Sequence, residues 1–152
     1  MPHQKRATLL LAAESFCNTF ATQKPLDDIL SHFSTRYEIL AYEHGLKQLA
    51  PFLGRDYTGE KGVREYFETL ASHLSYDNME FSTYVVDAAE NRVSVRGEAK
   101  FTWTSTGQSW NEIFTYVLAF DEDAKVVKYE VWADSGAAYL ASKGELEHLE
   151  KE

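Results

Sequence analysis

The 152-residue sequence predicts an α+β fold, in which a curved antiparallel sheet wraps around N-terminal helices as a cone or α+β barrel. Three observations carry this expectation. The hydrophobic period changes from 3.6 in the first half of the chain to 2 in the second. From Val93 the positions Val93, Val95, Ala99, Phe101 and Trp103 alternate with Ser94, Arg96, Glu98, Lys100 and Thr102, a full switch of polarity across a pleat. Turn residues at Gly107 and at 121–124 divide this half into successive strands. Helices followed by such a meander cover one face of its sheet.

Each element follows in order. Residues 4–22 read as an amphipathic helix on Leu9, Ala13, Phe16 and Phe20. Pro25 suits the first turn of a second helix, with Asp27 and Asp28 near its positive end and Leu26, Ile29, Leu30 and Phe33 as one stripe. A strand is expected over 35–43, then a loop punctuated by Gly45, Pro51, Gly54 and Gly59. A third helix spans 60–74, with Val63, Tyr66, Phe67, Leu70 and Leu74 on one side. Residues 79–87 form a less regular strand. After the strand from Val93, with Gly97 as its expected bend or bulge, the even positions Trp110, Glu112, Phe114, Tyr116, Leu118 and Phe120 face inward. In the last strand Val127, Tyr129, Val131 and Ala133 share the inner face, and Lys128, Glu130, Trp132 and Asp134 the outer. The chain is read as one domain, 1–152, with a core over about 8–142 and a charged, solvated helical tail over 143–152.

Composition excludes several functions. Fifteen basic against 24 acidic residues give a net charge of −9, a field that repels phosphate backbones, so no nucleic-acid partner is expected. Nothing reaches the ~18 apolar residues of a membrane span. One cysteine, Cys17, rules out an internal disulfide and a cysteine-cage zinc site. The five histidines lie in separate elements without ligand spacing, so no metal and no cofactor are expected. The apolar residues 7–13 behind His3, Lys5 and Arg6 have a signal-peptide outline, but apolar positions continue at helical spacing, so a cytoplasmic location is expected. Aromatic residues make up 14%, and where those rings point becomes the functional question.

The segments 26–33 (LDDILSHF), 52–59 (FLGRDYTG) and 63–67 (VREYF), with a final strand ending near Asp134, resemble the SnoaL-like group of the nuclear transport factor two-like superfamily. That resemblance implies a cone opening on an apolar cavity, pairing as a homodimer through the outer sheet face, and activities such as cyclisation, isomerisation and dehydration, alongside non-catalytic adaptors. Carried over residue by residue, the resemblance to ketosteroid isomerases falls on Cys17, Ala41 and Tyr116, which leaves only Tyr116 as an oxyanion donor. The residue set of the epoxide hydrolases and the His pair of the dehydratases have no counterpart on the inner face.

The residues themselves offer two carboxyls. Glu112 lies between Trp110 and Phe114 on an apolar face, where its charged form is disfavoured; the bland reading is a solvated strand end. Glu43 shares a face with Tyr37, Ile39 and Ala41 and reaches the cavity mouth, unless the strand has already ended. The expected site is therefore Glu112 or Glu43 as proton shuttle, with Tyr116 or Tyr129 as oxyanion donor. The expected pocket lining is Cys17, Phe20, Tyr37, Ile39, Phe52, Phe67, Phe101, Trp103, Phe114, Tyr129 and Val131, closed by the loop 45–59. The expected ligand is a small hydrophobic molecule, a carbonyl compound if the protein is catalytic. The alternative is a non-catalytic carrier or dimeric interaction module whose interior is filled by its own side chains. The outer face, with Thr102, Thr104, Ile113, Thr115, Val117 and Trp132, is the expected dimer surface.

Overall fold

The computed structural model describes residues 2–150. Met1, Lys151 and Glu152, which end the expected domain and its tail, lie outside the described residues. The elements run α1 (Pro2–Ala21), α2 (Leu26–Leu30), β1 (Leu40–His44), β2 (Tyr57–Thr58), α3 (Gly59–His73), β3 (Leu74–Asp87), β4 (Arg92–Trp103), β5 (Gln108–Phe120), β6 (Val126–Trp132), α4 (Ser135–Ser142) and α5 (Leu146–Glu150). The strands form one curved, open sheet in the order β2-β1-β6-β5-β4-β3. It is antiparallel except where β1 joins β6 in parallel.

The alternation read from the sequence sets the two faces of this sheet. Val93, Val95, Ala99, Trp103, Phe114, Tyr116, Tyr129 and Val131 are buried beneath the helices. Lys100 is exposed, and Lys128 forms an ion pair with Glu130 on the other face. Phe16 and Phe20 of α1 meet Phe33, Phe67 of α3 and Tyr129 of β6 in ring contacts at 5.1–6.5 Å. Each such pair adds ~0.5–1.5 kcal/mol to simple burial. This aromatic cluster ties the N-terminal helix, the third helix and the sheet into one core.

Several local expectations are corrected. The strand over 35–43 begins only at Leu40, because the Ser34 hydroxyl accepts the N–H groups of Arg36 and Tyr37 and turns the chain there. Gly97 is neither bend nor bulge: it pairs in register with Phe114, and a Cβ at Gly97 would lie 2.3 Å from that ring. Glycine is needed because Phe114 lies across the strand. The bulges fall instead in β3, between Asp77 and Glu80 and between Ser82 and Val85, where Asn78 and Thr83 take positive φ. A further irregularity at Ala119/Phe120 makes Val126, and not Val127, the buried residue at the start of β6. The tail is docked, not wholly solvated: Leu146 is buried and its N–H donates to Gln108 Oε1 at 2.9 Å. Among the described residues no helix is long and apolar enough to cross a membrane.

Candidate functional site

Between the helices and the inner sheet face lies a cavity of about 420 Å³, within the range of small-molecule sites. Its wall is rich in aromatic side chains, among them Phe20, Phe52, Phe67, Phe101, Trp110, Phe114, Tyr116 and Tyr129. Two glutamates enter this apolar wall from separate strands. Glu43 reaches it from β1, where the period-two pattern continues past Ala41 to the strand end. Glu112 reaches it from β5, opposite Ala99 of β4.

Each carboxyl holds one hydrogen bond from a ring beside it. Tyr66 Oη donates to Glu43 Oε1 at 2.6 Å, and Trp110 Nε1 donates to Glu112 Oε1 at 2.8 Å. Burial pushes Glu43 up to about 8; the Tyr66 hydrogen bond opposes this and the charge of Glu112 adds to it. Burial likewise pushes Glu112 up to about 7, opposed by Trp110 and reinforced by the charge of Asp134. Burial also drives Tyr66, Tyr116 and Tyr129 well above 10, so all three remain phenols and hydrogen-bond donors at neutral pH. Tyr116 and Tyr129 lie side by side with ring centroids 4.8 Å apart.

The structure thus brings together Glu43, Glu112, Tyr116, Tyr129, Phe20, Phe52, Phe67, Phe101, Phe114 and Val131. Four expected lining residues lie elsewhere. Cys17 is buried one position round α1 from Phe16, near Tyr84 of β3, and burial pushes its thiol up to about 12. Tyr37 precedes β1, is exposed, and donates to Glu122 Oε1 at 2.6 Å. Ile39 packs in the core beside the start of β1, where its carbonyl accepts from Gly59 N–H at 2.8 Å. Trp103, the last residue of β4, stacks on His73 with centroids 5.3 Å apart. The loop 45–59 does not close the cavity, to which it lends only Phe52. The opening is bordered by the exposed Gln23 and Lys24 of the α1–α2 turn and by Glu68, Ala71, Ser75 and Asp134. Sequence reasoning missed Tyr66 and Trp110 as partners of the carboxyls. Trp110 carried a signal, standing two residues from Glu112 on the same face; Tyr66 carried none beyond its helical stripe. Among the described residues no group of three or more His, Cys, Asp and Glu is arranged to hold a metal ion.

No family model and no curated protein matches the sequence. Solved structures do. An NTF2-like protein of unknown function from Burkholderia pseudomallei superimposes with a TM-score of 0.75 at 14% identity, covering 88% of this chain and 96% of that chain. The chain shares the fold of that NTF2-like structure. A SnoaL-like protein from Mesorhizobium loti matches with a TM-score of 0.63 at 11% identity, over 80% of this chain and 96% of its own. The pinacolase BvnE from Penicillium brevicompactum matches with a TM-score of 0.66 at 18% identity, over 95% of this chain and 94% of its own. At these identities what is shared is the nuclear transport factor two-like architecture, and any chemistry has to be argued from this chain's own cavity.

Proposed function

We propose that the protein is an isomerase or cyclase that acts by proton transfer on a small hydrophobic carbonyl compound, with the aromatic cavity as its active site. The observation that carries this reading is the pair Glu43 and Glu112: two carboxyls facing one apolar cavity, with proton affinities raised to about 8 and about 7. General acids and bases work best when their pKa lies near the operating pH. At neutral pH Glu43 is mostly protonated and serves as acid. Glu112 is divided between its two forms, and its ionised form serves as base. Glu112 takes a proton from the carbon beside the carbonyl while the Glu43 O–H, together with Tyr116 or Tyr129, hydrogen-bonds the oxygen on which charge develops. Where the enol is conjugated with a C=C bond, Glu112 returns the proton to the far carbon and completes an isomerisation; where a second carbonyl lies in reach, the enol carbon attacks it, its C=O π bond opens, and its oxygen takes the proton from Glu112, which completes a cyclisation.

Support also comes from the open interior, since a module filled by its own side chains would leave no cavity around Glu112. Neighbours of the same fold include a pinacolase and a protein described as a polyketide cyclase. The test is to screen hydrophobic ketones for binding and turnover, then compare Glu112→Gln and Glu43→Gln. Each change keeps the shape and removes the titratable group, and should lower kcat by ~10²–10⁴ with little change in binding. Unaltered kcat in both variants would overturn the reading.

A further inference from the structure

The charges on the cavity wall are unbalanced. Five charged side chains reach it: Lys24 from the α1–α2 turn, Glu43 from β1, Glu68 from α3, Glu112 from β5 and Asp134 from the β6–α4 junction. Four are carboxyls and one is a cation. The two deep carboxyls, Glu43 and Glu112, sit among rings and retain protons near neutrality. Glu68 and Asp134 are exposed at the rim, and neither forms an ion pair among the described residues. Asp134 Oδ1 accepts the Ala137 N–H at 3.0 Å as the cap of α4, which fixes its position without neutralising it.

Rings of the same wall complete the pattern. Tyr76, Phe101 and Trp110 form a run of ring contacts, with centroids 6.1 Å and then 5.9 Å apart, and all three line the cavity. Aromatic faces attract cations, and they do so more strongly where water is excluded. A carboxylate ligand would meet two rim carboxylates and the field of a protein of net charge −9, with Lys24 alone in its favour. A protonated amine is attracted by both carboxylates and by the aromatic wall.

We propose that the ligand of this cavity is a hydrophobic compound bearing a basic nitrogen, held in its ammonium form by the rim carboxylates Glu68 and Asp134 together with the aromatic wall. This rests on the cavity being a ligand site and adds the chemical class of the ligand: the nitrogen stays toward the rim, and the uncharged, oxygen-bearing part reaches Glu43 and Glu112.

Three probes of one shape test it: naphthylmethyl-dimethylamine, its uncharged isostere isobutylnaphthalene, and naphthylacetate, each titrated calorimetrically at neutral pH. The amine should bind about tenfold tighter than the isostere, as one cation–π contact with partial ion pairing provides, and naphthylacetate should bind weakest. Glu68→Gln combined with Asp134→Asn, both exposed positions with the α4 cap preserved by Asn, should remove the preference for the amine over the isostere. Lys24→Gln should enlarge that preference. An isostere that binds as tightly as the amine, a carboxylate that binds best, or a preference that survives the double variant would overturn this inference alone. Binding of none of the three would remove the cavity as a ligand site and the catalytic reading with it.

Discussion

Glu43 and Glu130 stand on neighbouring strands, β1 and β6, one pleat apart: Glu43 is paired in register with Val131, and Tyr42 with Glu130. Glu43 points to the inner face, where burial outweighs its Tyr66 hydrogen bond and raises it to about 8. Glu130 points to the outer face. Partial burial raises it, but His44 Nε2 at 2.8 Å and Lys128 Nζ at 3.4 Å outweigh that and hold it below 4.5. Identical side chains on the same sheet thus have opposite proton affinities. The difference arises from which face the backbone period assigns to each, since one face buries the carboxyl among rings and the other gives it His44 and Lys128 as partners. The sheet is therefore a partition between a dry surface suited to proton transfer and a wet one suited to ion pairing.

The strongest test of this partition removes bulk from each face in turn. Tyr129→Ala takes a ring that is 2% exposed out of the aromatic cluster and should cost about 3–5 kcal/mol in chemical denaturation. Ile113→Ala, at a position 60% exposed on the outer face, should change stability by no more than about 0.5 kcal/mol. Comparable losses would mean that the outer face is packed too, and the contrast between the faces would be lost.

The partition was largely legible in the sequence, because strict alternation from Val93 to Trp103 and along the strand of Glu112 states which residues share a face. Glu112 and Glu43 were found by following that period. What stayed illegible has local physical causes. The start of β1 depends on a hydroxyl of Ser34 folding back on the chain, which places Tyr37 in solvent even though it is in phase with Glu43. A bulge shifts Val127 out of phase in the same way, and Gly97 reflects a cross-strand ring and not a bend. The site partners were hidden more deeply. That the Tyr66 hydroxyl meets Glu43 depends on how α3 packs against β1, a tertiary relation that no spacing within the sequence encodes.

The next test is the pH dependence of stability. Glu43 and Glu112 have native pKa values raised above the ordinary 4.5, so the native state holds protons that the unfolded chain has released. Their stabilisation is complete below 4.5 and is lost as pH rises, through about 7 for Glu112 and about 8 for Glu43. Each extra bound proton gives a fall of about 1.4 kcal/mol per pH unit within its window. Denaturation measured between pH 5 and 8 should show this decline, and Glu43→Gln should flatten its upper end. A wild-type curve that is level across this range would show the inner carboxyls to be ordinary.

The smallest expected effect lies on the wet face and has the opposite sign. Glu130 is held below 4.5, so its pairing stabilises the protein above that value and is lost as pH falls through the native pKa. Its partners His44 and Lys128 are partly exposed, which limits the contribution to ~0–1 kcal/mol. Glu130→Gln should therefore lower stability slightly at neutral pH, have no effect once both states are protonated in acid, and lose its effect in high salt. The effect of Glu43→Gln should resist salt, because a carboxyl buried among rings is screened far less than one on the surface. The pair of variants measured in low and high salt is a direct comparison of the two faces. Should salt alter both equally, Glu43 would have to lie in contact with solvent, and the proton affinity assigned to it from burial would fall.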